Sequence, residues 1–153
     1  MRRWLWILGA SLVLLSGNRR ANRLENLIPA ELLMISREGP QIILEVDTGE
    51  SGQGTSLETA FDDLEEKAEG RILWDTLDKV VIRKEALDVM PKLRKELSPG
   101  TEVWLYKGNI EAEKAAAYLK TRNSPVRLLG SKGQKDQLPV LSEKGGEYRI
   151  ENG

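Results

Sequence analysis

The sequence predicts an α/β (α+β) fold: a mixed β-sheet of about five strands packed by three helices, in the order ββαβαβαβ. Two short apolar runs, ELLMISR and QIILEVD, flank Glu38-Gly39-Pro40, which is the pattern of a hairpin. Downstream, single β-branched strands alternate with helical patterns, as in a sheet with helices packed on it. Charged residues make up 31% and hydrophobic ones 40% of the 153 residues, which suits one soluble domain with a core of its own.

The hairpin strands are Glu31 to Arg37 and Gln41 to Asp47, and the loop TGESGQG follows. Thr55 and Glu58, three positions apart, read as a capping box. Leu57, Ala60, Phe61, Leu64 and Ala68 then recur at helical spacing, and Gly70 can close the first helix. Leu77 to Arg83 reads as a strand. Ala86 to Leu97 reads as a second helix, stopped by Ser98-Pro99-Gly100, with Pro91 in its first turns or breaking it. Glu102 to Lys107 is a strand, Ile110 to Lys120 an alanine-rich third helix, and Val126 to Leu129 a last short strand. The tail from Ser131 to Gly153 is polar, with a hairpin pattern around Gly145-Gly146.

Composition restricts the chemistry. With no cysteine and no histidine, the chain has no disulfide, no thiol nucleophile and no thiolate or imidazole metal ligand, so no metal or cofactor is expected and catalysis is disfavoured. Removing Arg2 and Arg3 takes the formal charge from −1 to −3, with acids and bases interleaved. Without a basic stripe, no nucleic-acid partner is expected.

Arg2 and Arg3 precede an apolar run from Trp4 to about Leu15, the layout of a secretory signal. As a helix, Trp4 to Gly17 would reach about 21 Å, short of the roughly 30 Å hydrocarbon core. Cleavage after Gly17 would put Leu15 at the −3 position, where a small residue belongs. Leu15-Ser16-Gly17 matches the flank of a lipoprotein signal instead, but its acceptor position holds Asn18, which carries no thiol. The expectation is an uncleaved or inefficiently cleaved leader that holds the domain weakly at the membrane; the competing reading is a buried N-terminal helix of a cytosolic protein.

Several motifs suggest a site. Gly49 to Ser56 nearly matches a phosphate-cradling loop, but Thr55 stands where the lysine belongs, so nucleotide binding is not expected. Asp47-Thr48-Gly49 matches the triplet of aspartic proteases, which would make Asp47 catalytic in a homodimer whose paired aspartates share a proton. Glu58, Asp62, Asp63, Glu65, Glu66 and Glu69 read as a solvated helix face. Trp104 and Tyr106 alternate with Val103 and Leu105, so one pair faces the core; an exposed aromatic pair would be a partner surface.

The segments LLSGNRR, LENLIPAELLMIS, GTSLETAFDDL, LDKVVIRKEAL and EVWLYKGNIEAEKAA follow one another in an order that resembles the N-terminal domain of the spore-germination receptor C subunits, the Ger(x)C family of membrane-attached lipoproteins. The resemblance spans roughly Leu15 to Lys120. It departs from the family at Asn18, where the lipidated cysteine belongs, at Thr76, where histidine is frequent, and at Arg83, where glycine is usual. It implies a signal or anchor over residues 1–17, a linker over 18–27, a Ger(x)C-like domain over 28–130, and a tail over 131–153 that leads toward a missing domain. The implied protein is non-catalytic, lies on the extracytoplasmic face of the membrane (the spore inner membrane), and works beside integral-membrane germinant receptor subunits.

Overall fold

The computed structural model describes residues 26–122 and 138–151. Its strands are β1 (Leu27–Pro29), β2 (Leu32–Glu38), β3 (Gln41–Val46), β4 (Ser51–Gly54), β5 (Arg71–Leu73), β6 (Lys79–Arg83), β7 (Glu102–Lys107), β8 (Val140–Lys144) and β9 (Glu147–Glu151). Among the described residues the α-helices are α1 (Leu57–Lys67), α2 (Met90–Glu96) and α3 (Ala112–Leu119). A seven-stranded sheet runs β4-β3-β2-β6-β7-β8-β9, and β1 and β5 form a separate parallel pair. Within the large sheet β2, β6, β7 and β8 pair in parallel with one another, whereas β3, β4 and β9 pair antiparallel. The fold is therefore mixed α/β, as expected, with a larger sheet.

The central strands are buried on both faces, which explains their continuous apolar runs. Leu33 and Ile35 of β2, Val80 and Ile82 of β6 and Val103 of β7 join the core that contains Leu57 and Leu64 of α1 and Leu93 of α2. The alternate residues, Leu32, Met34, Val81, Trp104 and Tyr106, pack with Ala112, Ala115 and Leu119 of α3 and with Leu141 of β8. The small alanines let α3 lie close against β2.

Four sequence expectations are corrected. Ser51–Gly54 is a strand rather than a loop, paired with β3 from Ile42↔Gly54 to Glu45↔Ser51. Its glycines allow α1 to lie directly on the backbone: a Cβ on Gly52 would sit 2.4 Å from the Leu64 nitrogen, and one on Gly54 2.5 Å from the Ala60 nitrogen. Because β4 runs on to Gly54, the helix cap falls one residue later than expected. Ser56 Oγ accepts from the Thr59 N–H at 3.2 Å, and Thr59 Oγ1 accepts from the Ser56 N–H at 3.0 Å. The helix closes at Ala68; Gly70 instead leaves room for Asn26, whose carbonyl oxygen would lie 2.1 Å from an added Cβ.

The expected helix Ala86 to Leu97 is split into a 3₁₀ stretch, Lys84–Val89, and α2, with Pro91 in the first turn of α2. Proline has no N–H and collides with the carbonyl four residues back, so one continuous α-helix cannot pass through it. The tail contributes β8 and β9, a hairpin added in parallel to β7 at Leu105↔Val140 and Tyr106↔Leu141. The expected strand Val126 to Leu129 lies outside the described residues.

Candidate functional site

A cleft of about 300 Å³ opens between α1, the 3₁₀ turn Trp74–Thr76 and α2. Leu57, Phe61, Trp74 and Leu97 supply its apolar lining; Leu57 and Leu97 are buried, while Phe61 and Trp74 are half-buried. Leu57 and Phe61 stand one turn apart on α1. Trp74 meets Phe61 edge-on, with ring centroids 5.1 Å apart and planes at 88°, a favoured aromatic geometry. The indole Nε1–H donates to Glu65 Oε1 at 3.0 Å, so the ring is fixed both by its aromatic contact and at its polar edge.

The rim is acidic. Glu58, Asp62 and Glu65 follow one another along α1, and Glu96 comes from α2, against the single ammonium of Lys92. Lys92 Nζ reaches both Glu58 oxygens, at 3.0 and 3.2 Å, and ties the two helices together. The Glu58 carboxyl is held at about 2, well below its ordinary 4.5. Its own backbone N–H in the helix's first turn is the largest cause, followed by Lys92 and Ser56. Among the described residues Asp62 and Glu96 form no ion pair. Of the other acids expected on a solvated face, Asp63 pairs with Lys67 at 2.6 Å and accepts the Gln53 N–H at 2.7 Å, joining α1 to β4. Lys67 and then Gln53 hold the Asp63 carboxyl below its usual range.

The other residues singled out by sequence lie elsewhere. Asp47 follows β3, and its Oδ1 accepts from the main-chain N–H groups of Glu31 at 3.0 Å and Leu32 at 3.1 Å, at the start of β2. Its own N–H donates to the Leu32 carbonyl. Trp104 and Tyr106 are buried, 2% and 4% exposed, so they build the second core and present no partner surface. Burial pushes the Tyr106 hydroxyl above its usual value, partly opposed by Arg83, whose guanidinium lies 5.1 Å over the ring. Arg83 also donates to the Gly108 carbonyl, and Thr76 donates to the carbonyls of Ala30 and Leu73. Thr76 and Arg83, two of the three departures from the pattern it resembles, are thus tied into the backbone. Leu15, Ser16, Gly17 and Asn18 lie outside the described residues.

Sequence pattern did not single out the cleft. Phe61 belonged to the apolar stripe and the acids to the solvated face, but Trp74 and Lys92, which close the cleft, stand in unrelated parts of the chain. No family model matches the chain, and neither does any curated protein or solved structure.

Proposed function

We propose that this chain is a non-catalytic component of the extracytoplasmic membrane face that acts through protein–protein contacts, in the manner of the Ger(x)C subunits it resembles. Its partners are then integral-membrane receptor subunits, and residues 1–17 hold it at the membrane. The observation that carries this reading is the contrast between Asp47 and the cleft. The aspartate with a catalytic alternative is engaged by two backbone N–H groups, whereas Phe61 and Trp74 form an aromatic wall still open to a partner. An aspartic protease would need both Asp47 carboxylates turned to a shared two-fold axis, and the bonds to Glu31 and Leu32 weigh against that orientation.

Membrane fractionation of the full chain, with mass measurement of its mature N-terminus, tests the reading. The expected result is a wholly or largely uncleaved chain in the membrane fraction, partly released by a urea wash, that cross-links to integral-membrane proteins. Asn18→Cys should gain a lipid mass and resist the wash, because Leu15-Ser16-Gly17 already supplies the flank. A chain found wholly in the cytosol, with Asn18→Cys neither lipidated nor better retained, overturns it.

A further inference from the structure

We infer that the cleft between α1 and α2 docks a short cationic peptide segment of a partner protein, with one apolar side chain against Phe61 and Trp74 and a neighbouring lysine or arginine among Asp62, Glu65 and Glu96. This assignment rests on the protein-contact reading and names the chemistry of the contact. A volume of about 300 Å³ stands at the lower end of ligand sites, which suits one or two side chains better than a cofactor or a whole helix. The lining sets the rest. An aromatic pair at 5.1 Å accepts an apolar group, and its quadrupole also favours a nearby cation.

Charge selects the sign. Four carboxylates face one ammonium around the rim, and Lys92 is already held by both oxygens of Glu58. The surplus repels phosphates, anionic lipid surfaces and acidic peptides, and it attracts a basic segment. The platform is also preorganised: Glu65 anchors the indole, and the core that Leu57 and Leu64 share with Leu93 sets the two helices, which the Glu58–Lys92 pair bridges at the surface, so little ordering accompanies binding.

The test titrates the full-chain protein with an end-capped hexapeptide of alternating leucine and lysine, with its leucine–glutamate twin, and with lysine amide. Tryptophan fluorescence and calorimetry report binding. The basic hexapeptide should bind, weakening as salt rises, while the acidic twin and lysine amide should not. The combined variant Asp62→Asn, Glu65→Gln, Glu96→Gln should weaken binding by about tenfold without unfolding the protein, because these are exposed charges. Trp74→Phe keeps an aromatic wall and should retain binding with a smaller fluorescence change.

Equal binding of both peptides, or undiminished binding to the neutralised variant, overturns the assignment. So does self-association that the neutralised variant abolishes, which would make a second copy the occupant. Tighter peptide binding after Arg19→Gln, Arg20→Gln and Arg23→Gln would make the chain's own basic segment the occupant and would equally overturn it. Failure here is separable from failure of the membrane reading. A neutralised variant that still cross-links normally to membrane subunits sinks the cleft alone, whereas peptide binding by a purely cytosolic chain sinks the membrane role alone.

Discussion

Asp47 shows how a residue that looks catalytic can be structural. Its Oδ1 accepts two backbone N–H groups at the head of β2, and Leu32, one of the donors, has a fully buried side chain. Removing the acceptor leaves the part-buried Leu32 N–H unmatched, while the exposed Glu31 N–H can turn to water. Asp47→Ala should therefore cost about 0.5–1.5 kcal/mol in urea unfolding, while Asp47→Asn, which keeps an oxygen in place, should cost less. An alanine variant as stable as the parent would show that the two bonds contribute nothing. The D-T-G triplet was legible in the sequence, but its role was not, because a carboxylate's partners some sixteen residues back leave no local pattern.

At the level of elements, α1 is held by what β4 lacks. A methyl group on Gly52 would enter the backbone of α1 around Ala60 and Leu64, and neither can retreat cheaply. Gly52→Ala should destabilise the protein by about 1–3 kcal/mol or more, read from its thermal midpoint, because the methyl meets helix backbone, whereas Gly145→Ala meets no neighbouring atom and should cost only the about 1–2 kcal/mol of placing a side chain at φ +65 in the turn. An unchanged midpoint for Gly52→Ala would mean that α1 does not lie on β4 as described. Hydropathy located β2, β3, β7 and α1 to within a residue or two, since each carries large apolar side chains at its own period. It missed β4 because glycine buries backbone and leaves no hydrophobic signal.

The first turn of α1 also has a pH signature. Glu58 has its folded-state pKa depressed to about 2 from 4.5, so its contribution to stability is complete above 4.5 and is lost as pH falls toward 2. Thermal midpoints should decline over that window, and the decline should be shallower in Glu58→Gln. A variant whose acid profile overlays the parent's would remove Glu58 as a source of that decline.

Across the whole molecule, the second core depends on a strand distant in sequence. β8 covers the β7 edge, and Leu141, fully buried, packs in the core with Trp104 and Tyr106. A chain ending at residue 137 should expose that edge and part of the aromatic core, giving dye binding and aggregation that the full chain lacks. A truncated chain that stays monomeric with an unchanged near-ultraviolet spectrum would refute this. Only Val140 and Leu141 interrupt the polarity of β8, too brief a run to reveal that the tail adds a parallel strand beside β7.

Strand β2 carries apolar side chains of similar size on both faces, Leu32 and Met34 on one, Leu33 and Ile35 on the other. A shift of one residue against β3 would swap these pairs and bury almost as much oil, so hydrophobicity by itself barely penalises the frame error. The choice falls to the hairpin's two ends. At one, Gly39 turns at φ 57 ahead of Pro40; at the other, Asp47 grips Glu31 and Leu32. A hairpin closes within about 1–10 μs, long before a strand some forty residues away can join it. These two fasteners therefore select the frame early, before the rest of the sheet can assemble on it.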